Sequence, residues 1–334
     1  MNVFKQSFGQ WRALGAVVGM AGAMLAPPAQ ADGRSATHNL LTNVARANRS
    51  LGITENDSRA VPTLVRGMYV LNDNKGAFVG IINEAGTIYG DAQGFQVFTT
   101  NGTPPRKMNS EELNDLRQEV MGAIEYDKLI KVTYGDGGGR KQVLFSAVDC
   151  GFCQRFEQEL SKNGRGVNTT FYVLPSSLQE LKGAGVAKWQ TASRLWCAEN
   201  GAAAWKKYWS TLDVAPGRTC EFDPKTAEQT GLNLKRILAG LGARIHGTPS
   251  ILREDGSILN NEINMDFAYM NKAFGSDGLP KLAAAKQPQW LVAAADVPSS
   301  QNGDDAQQTA AQPGAQQSKK IKIDVKDALK KLFN

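Results

Sequence analysis

The first half of the chain alternates apolar and polar residues in short runs separated by glycine turns, which is typical of strands. Residues 67–70 and 78–82 each predict a strand, Glu84-Ala85-Gly86 predicts a turn, and residues 87–89 begin another strand. The apolar content of this region is low for a free-standing monomer. The pattern therefore predicts a small, mainly β module.

A helix is predicted next. Ser110 is a suitable N-cap residue, and Glu111 and Glu112 carry the negative charge that a helix N-terminus favours. Apolar side chains then recur at helical spacing, namely Leu113, Leu116, Val120 and Ile124. Such a helix can be a rigid arm between two domains or an ordinary packed helix, and the sequence leaves both open.

From about residue 129 the pattern changes to strands that alternate with helices. The first elements are a strand over residues 142–146, a helix over residues 151–160 and a strand over residues 170–174, which Pro175 ends. A tryptophan-rich helical insert follows, over about residues 176–222. This half of the region therefore predicts a β-α-β unit.

A helix, a hairpin and a last helix are predicted after the insert. Asp223-Pro224 opens a helix, with proline at its first position, that runs to about residue 241. Residues 250–252 and 257–259 bracket an Asp255-Gly256 turn, which strongly indicates a hairpin. A last helix is predicted from three apolar residues on one face, Phe267, Met270 and Phe274. A β-α-β unit, a helix, a hairpin and a helix make the α/β thioredoxin fold.

The N-terminus has the pattern of a cleavable secretory signal. Lys5 and Arg12 flank a polar segment, an apolar run covers residues 13–25, and Ala29-Gln30-Ala31 is a small-x-small ending. A membrane anchor is the alternative, but the apolar run is shorter than the roughly 20 residues that a spanning helix needs. We therefore expect the mature chain to begin at Asp32.

The C-terminal part is different in kind. Residues 298–318 are rich in Gln, Ala, Ser, Gly and Asp without apolar periodicity, which predicts disorder, and residues 321–333 recover a weak helical pattern. The patterns together predict a signal peptide at 1–31, an N-terminal domain at 32–106, a linker helix at 107–126, a thioredoxin-like domain at 127–280 and a low-complexity tail at 281–334.

Charge and cysteine content narrow the function. Lysine and arginine number 38 against 32 acidic residues, but the basic residues are scattered apart from a small C-terminal cluster. That distribution is typical of a solvated surface and argues against nucleic acid as a partner. All four cysteines lie within residues 150–220. An even count in an exported protein suggests two disulfides in an oxidising compartment.

The chemistry is carried by Cys150-Gly151-Phe152-Cys153. A C-x-x-C pair serves zinc sites as well as redox sites. A zinc site would need a second closely spaced pair, but Cys197 and Cys220 are far apart in the sequence, and the chain has only two histidines. Redox chemistry is therefore favoured over a metal site and over an inert structural disulfide, and we expect neither metal nor cofactor.

The position of the motif supports redox chemistry. It follows a strand of buried type and opens a helix, so Cys150 meets the positive end of the helix dipole, which stabilises its thiolate. Such sites lower a thiol pKa from about 8.5 to roughly 3.5–7.5. Cys150 is therefore predicted as the nucleophile and Cys153, one turn deeper, as the resolving thiol. Gly151 and Phe152 are candidate substrate contacts.

A second signal lies at Gly247-Thr248-Pro249, just before the predicted hairpin. Proline at the start of a strand cannot donate to the ladder, and a cis bond there would be a specific feature. In a thioredoxin fold this loop lies beside the C-x-x-C, where the Thr248 backbone can pair with an extended substrate. An ordinary loop proline is the alternative, but the upstream C-x-x-C favours the catalytic loop.

The chain resembles the periplasmic disulfide isomerases of the DsbC/DsbG family over roughly residues 61–274. The stretches that carry the resemblance are residues 144–153 (LFSAVDCGFC), 195–200 (LWCAEN), 215–220 (APGRTC), 247–250 (GTPS) and the strand and turn at 78–86. Gln154 departs from the family, where histidine is common, and residues 260–266 and the tail after about residue 276 have no counterpart.

The resemblance implies several further features. It implies an α+β, cystatin-like N-terminal dimerisation domain and a V-shaped homodimer with facing active sites. It implies a periplasmic protein kept reduced by a membrane thiol reductase of the DsbD type. It also implies that Cys197 and Cys220 form a structural disulfide in the helical insert.

We therefore expect thiol–disulfide exchange on misoxidised exported proteins, by isomerisation or reduction of incorrect disulfides. Oxidation of client dithiols by the same pair is the enzymatic alternative. A chaperone that binds unfolded clients without redox chemistry is the alternative from another class.

Overall fold

The computed structural model describes residues 33–259, apart from residues 92, 136–139, 164–166, 168, 215 and 217. The predicted signal peptide, the last helix and the C-terminal tail lie outside the described residues. Across the described part of the chain, no helix is both long and apolar enough to cross a membrane.

The described residues form two successive regions, each built on one β-sheet. The helices are α1 (Gly33–Arg46), α2 (Ser110–Ala123), α3 (Gly151–Asn163), α4 (Gly185–Trp196), α5 (Gly201–Thr211) and α6 (Pro224–Gly240), with a short 3-10 helix at Tyr126–Lys128. The strands are β1 (Ser58–Pro62), β2 (Met68–Asp73), β3 (Phe78–Asn83), β4 (Ile88–Asp91), β5 (Gly94–Val97), β6 (Arg106–Lys107), β7 (Ile130–Tyr134), β8 (Arg140–Ala147), β9 (Thr169–Ser176), β10 (Ser250–Leu252) and β11 (Ile258–Leu259).

The N-terminal region is an antiparallel sheet that packs against one helix. The sheet has the order β1-β2-β3-β4-β5-β6, so each strand pairs with its neighbours in the chain. Helix α1, which the sequence did not predict, buries Ala36, Leu40 and Val44 at helical spacing in a core with this sheet. Gly86 has a positive φ of 62° and lies so close to the Leu40 backbone that a Cβ has no room there.

Helix α2 is a packed helix with a well-formed N-terminus. Its N-cap is Asn109 rather than the predicted Ser110: the Glu112 N–H donates to the Asn109 side chain, and the Asn109 N–H donates to the Glu112 carboxylate, each at 2.9 Å. The Arg106 guanidinium also donates to Glu112, at 2.7 Å. Leu116 and Val120 are buried in the core of the molecule, which favours the packed helix over a free arm.

The C-terminal region is a mixed sheet with the order β11-β10-β8-β9-β7. The predicted β-α-β order is confirmed, because β8 and β9 are parallel and α3 connects them. The predicted hairpin is confirmed as well, with Ile251 opposite Leu259. Strand β9 does not end at Pro175 as predicted but continues to Ser176. Pro175 lies beyond the part of β9 that pairs with β7, so its missing N–H breaks no bond to that strand.

The tryptophans of the helical insert belong to the core. Trp205 and Trp209 are buried and meet edge to face with ring centroids 5.5 Å apart. Trp196 stacks on Phe222 at 4.1 Å, and the Trp189 indole N–H donates to a backbone carbonyl at 2.7 Å. The Trp196 indole N–H also donates to the Lys128 carbonyl at 2.6 Å, and the Trp205 indole N–H to Glu157 of α3 at 2.9 Å, so these side chains hold the insert on the rest of the C-terminal region.

The face of the N-terminal sheet that points away from α1 shares a hydrophobic core with the C-terminal region. Phe95 of β5 is buried in the same cluster as residues of α2, α3 and α6. A Cβ on Gly240, near the end of α6, would lie only 2.7 Å from the Phe95 ring, so glycine permits this close approach. The Arg117 guanidinium of α2 donates to the carbonyl of Leu241 at 2.6 Å. The N-terminal sheet and the end of α6 are thus in direct contact.

Candidate active site

Cys150 lies where β8 gives way to α3. The Cys150 N–H donates to the Ala147 carbonyl at 3.1 Å, and the Gln154 N–H donates to the Cys150 carbonyl at 3.0 Å, which starts the helical ladder. Cys150 is 5% exposed and Cys153 is fully buried, and both are free thiols. A client sulfur can therefore reach Cys150 more readily than Cys153.

The pKa values of the two thiols are shifted in opposite directions. The hydrogen bond from the Cys153 thiol is the largest influence on Cys150 and lowers its pKa, and backbone N–H groups of Phe152 and Cys153 add to this effect against the cost of burial. The Cys153 N–H lies 3.3 Å from the Cys150 Sγ. Burial raises the pKa of Cys153, and its hydrogen bond to Cys150 raises it further. Cys150 is thus the thiolate and Cys153 the protonated partner.

The predicted catalytic loop lies against the dithiol. The Thr248–Pro249 peptide bond is cis. In its protonated state the Cys150 thiol donates to the Thr248 carbonyl at 3.1 Å. Ser250, the first residue of β10, pairs with Phe145 of β8, which brings this loop to the end of the strand that precedes Cys150. The structure therefore brings Cys150, Cys153, Thr248 and Pro249 together.

Asp149 shapes the surface next to Cys150. Its carboxylate accepts a hydrogen bond from the Leu178 N–H at 2.8 Å and another from the Ser177 hydroxyl at 2.9 Å. This pairing holds the turn after β9 beside the motif and leaves Leu178 60% exposed. Phe152, between the two cysteines, is 67% exposed. Two apolar side chains are therefore presented to solvent close to the thiolate, whereas Gly151 contributes no side chain.

The remaining cysteines form the disulfide that the resemblance implies. Cys197 follows the last residue of α4 and is bonded to Cys220, which is 23 positions later in the sequence, with the two Cα atoms 5.6 Å apart. The Cys197 Sγ also lies 3.7 Å from the carbonyl of Phe222, whose ring stacks on Trp196. The disulfide thus closes the insert next to its aromatic core.

Two side chains near the motif were missed by the sequence reasoning. The Tyr208 hydroxyl of α5 donates to the Val148 carbonyl at 2.8 Å, two residues before Cys150. Glu157 of α3 is buried, and burial raises its pKa to about 7. Glu157 lies on the same face of α3 as Cys153, where the helical pattern calls for an apolar residue. A glutamate at such a position was the sequence signal that could have identified it.

Potential metal ligands are not clustered in the part of the chain that the structure describes. No group of three or more histidine, cysteine, aspartate or glutamate side chains there is arranged to hold a metal ion. The two motif cysteines are the only free cysteines of these residues.

Comparisons with known proteins complete the description of the site. No protein-family model matches the chain, and no curated protein matches it. Among similar solved structures, a disulfide interchange protein from Neisseria gonorrhoeae is 25% identical, covers 46% of this chain and 100% of its own, and has a TM-score of 0.35. A linker-deletion variant of Proteus mirabilis ScsC is 19% identical, with coverages of 49% and 84% and a TM-score of 0.34. Helicobacter pylori DsbG is 13% identical, with coverages of 59% and 93% and a TM-score of 0.30. Because these scores are low, the function proposed below rests on the site of this chain itself.

Proposed function

We propose that this protein carries out thiol–disulfide exchange on exported proteins and that it isomerises or reduces incorrect disulfides through Cys150 and Cys153. The observation that carries the proposal is the asymmetry of the pair. Cys150 is a stabilised thiolate at the start of a helix, beside the Thr248–Pro249 loop, and Cys153 is a buried thiol that donates to it. An inert pair of buried cysteines has no need of such an arrangement.

The reaction has two steps. The Cys150 thiolate attacks one sulfur of a client disulfide, so a mixed disulfide forms and the other client sulfur leaves as a thiolate. That client thiolate can attack a different client disulfide, which leads to isomerisation. Alternatively, the Cys153 sulfur attacks Cys150, which forms the Cys150–Cys153 disulfide and releases the client with both of its sulfurs reduced. The two electrons gained by the client come from the dithiol.

The direction of net electron flow depends on whether the Cys150–Cys153 pair is held reduced or oxidised in the cell. A stabilised Cys150 thiolate favours the reduced form of the pair, so the oxidised pair is a ready oxidant of client dithiols. Isomerisation requires that the pair be held reduced, and a membrane thiol reductase of the DsbD type is the partner that we propose for this. The redox state of Cys150 in cells distinguishes the two uses: a mostly reduced pair supports isomerisation, and a mostly oxidised pair supports the oxidase.

Trapping experiments test the proposed roles. In Cys153→Ser the mixed disulfide with a client is no longer resolved by the enzyme, so covalent complexes should accumulate on a non-reducing gel. In Cys150→Ser the attacking thiolate is absent, so neither complexes nor exchange should be seen. Equal trapping by both variants would show that the order of attack is wrong.

We also propose that the mature protein is a periplasmic homodimer that pairs through its N-terminal sheet. Among residues 33–259 as described, β1 at one end of this sheet pairs with β2 on one side only, and its other edge suits a second copy. Two copies would place two dithiols around one client. Light scattering on the mature chain should give twice the mass of one chain. A monomer would remove the dimer from the proposal but leave the exchange chemistry of Cys150 intact.

A further inference from the structure

A cavity of about 570 Å³ lies beside the turn that follows β9. Ser177 and Leu178 of this turn line the cavity. The Ser177 hydroxyl and the Leu178 N–H both donate to the carboxylate of Asp149, at 2.9 and 2.8 Å. Asp149 immediately precedes Cys150 in the chain. One wall of the cavity is therefore bonded to the segment that leads to the nucleophile.

The other walls of this cavity come from α4 and α6. Trp189 of α4 is buried, Leu232 of α6 is half-buried, and both line the cavity. Gly231 and Lys235 line it as well and share one face of α6, because they are four residues apart. With the exposed Leu178, the cavity thus has a mostly apolar lining that includes the amine of one lysine on α6.

Lys235 has no counter-ion in this cavity. Of the two acidic side chains in the described lining, Glu180 is ion-paired with Lys182, and the Glu228 carboxylate accepts a hydrogen bond from the Leu181 N–H at 2.9 Å. Over the described residues, no carboxylate or hydrogen-bond acceptor pairs with the Lys235 ammonium. Burial lowers the pKa of Lys235, and no neighbouring charge offsets this effect. One half-buried cation is therefore left unpaired.

An unpaired cation among apolar side chains favours an anionic ligand. Removing water from an ammonium group costs free energy, and a carboxylate at hydrogen-bond distance returns much of that cost. The attraction is also stronger beside apolar walls than in open water, because the local dielectric constant is lower. A carboxylate on a short hydrocarbon stem, as in aspartate and glutamate, matches both the charge and the apolar lining of the cavity.

We propose that this cavity is a client subsite that binds an aspartate or glutamate close to the reacting cysteine of the client, with Lys235 as the specificity-determining residue. The client chain runs along the turn at Leu178, and its carboxylate pairs with the Lys235 ammonium. The pairing holds the client disulfide at Cys150 and takes no part in the electron transfer, so it changes the rate of capture. This inference rests on the proposed exchange reaction and names a preferred class of client.

Peptides that differ in one side chain test the subsite. Each peptide carries a single cysteine that is bonded through a disulfide to an uncharged pyridyl thiol. Cys150 of the reduced full mature chain attacks the peptide sulfur, and the pyridyl sulfur leaves with the electron pair as a product that absorbs light. Glutamate is placed in turn at each position that flanks the cysteine, and every peptide has a glutamine twin. At the best position we expect glutamate to speed this release over glutamine by about fivefold or more.

Variants at Lys235 assign the preference, which is read in each variant as the ratio of the glutamate rate to the glutamine rate. Lys235→Met keeps the apolar stem and removes the charge, so the two peptides should react equally fast. Lys235→Arg keeps the charge and should keep the preference, whereas Lys235→Glu should favour a lysine peptide over the glutamate peptide. Lys225→Met, an exposed change on the same helix outside the cavity, is the matched control and should leave the ratio unchanged.

The outcomes distinguish this inference from the proposed function. Equal rates for glutamate and glutamine at every position, or a preference that survives in Lys235→Met, would overturn the subsite. A preference that is lost in Lys182→Met and kept in Lys235→Met would assign it to the other lysine of the cavity and equally reject Lys235. An uncharged dipyridyl disulfide has no carboxylate to bind. Failure of the natural chain to reduce this compound would instead reject exchange by Cys150.

Discussion

The lowered pKa of Cys150 comes from its immediate neighbours rather than from a distant charge. The Cys153 thiol and backbone N–H groups at the start of α3 donate to Cys150 and lower its pKa. The sequence predicted the nucleophile and the resolving thiol because a C-x-x-C at a strand-to-helix junction has few other uses. It did not predict Glu157, because its partners Trp205 and Tyr134 come from distant parts of the chain that only the tertiary fold brings together.

Glu157 gives a testable dependence of stability on pH. Its pKa is about 7 in the folded protein against an ordinary value of 4.5, so folding favours the protonated acid. The stability contributed by this group is complete below the unfolded pKa and is lost as the pH rises through about 7. The difference between the two values corresponds to about 3 kcal/mol.

Glu157→Gln should therefore flatten the stability curve and make the protein more stable than the natural chain at about pH 8, where the buried charge is costly. Urea unfolding at about pH 5 and about pH 8 measures this difference, with Glu159→Gln as the control. If the difference in unfolding free energy between the natural chain and Glu157→Gln were the same at both pH values, the raised pKa of Glu157 would be contradicted.

Among the secondary-structure elements, the helices and turns with strong local sequence signals were predicted correctly. Those with weak or ambiguous signals were missed or misplaced. The Asp223-Pro224 start of α6 and the Asp255-Gly256 turn each have chemistry that suits one conformation, and both are found where the sequence places them. Helix α1 was missed because its buried stripe is diluted by polar residues. The N-cap of α2 was placed one residue late because Asn109 and Ser110 are both good caps, and the choice between them depends on Glu112 and Arg106.

We expect the Cys197–Cys220 disulfide to stabilise the helical insert. Closing a loop of 23 residues between Cys197 and Cys220 should stabilise the fold by about 3 kcal/mol on the chain-entropy model. Replacing both cysteines by alanine should lower the unfolding free energy by about that amount, measured by urea denaturation. Exchange by Cys150 with a small disulfide should remain nearly unchanged. A variant of natural stability that had lost activity would instead indicate a redox role for this pair.

In the whole molecule, the sequence predicts two modules but not how they meet. The contact between them is made by residues that look unremarkable in the sequence, such as Gly240, whose missing side chain makes room for Phe95. Arg117 adds a hydrogen bond to the end of α6. Such contacts depend on the three-dimensional approach of two surfaces and leave no periodic signal in either segment.

This shared core predicts that the two regions unfold together. Phe95→Ala should destabilise the protein by about 3–5 kcal/mol, because it leaves a cavity between the N-terminal sheet and the end of α6. The tryptophans of the described residues all lie in α4 and α5 of the C-terminal region, so in a Trp290→Phe background the tryptophan fluorescence of the mature chain reports on that region. We expect Phe95→Ala to lower the fluorescence midpoint in urea, and Lys107→Ala, an exposed change in the same sheet, to leave it in place. An unchanged midpoint in Phe95→Ala would mean that the regions unfold independently.

In the proposed reaction, the burial of Cys153 controls how long a client stays bound. Cys150 is 5% exposed and Cys153 is fully buried, so a client would bond to Cys150 alone, and an internal reaction would decide when it is released. Under this proposal, a client whose freed thiol finds a new partner before Cys153 attacks would leave with its disulfides rearranged. A slower client would leave reduced and would have to be oxidised again elsewhere. The ratio of rearranged to reduced product would therefore be a competition between two first-order rates, and the protein would control one of them through the depth at which it keeps a single sulfur atom.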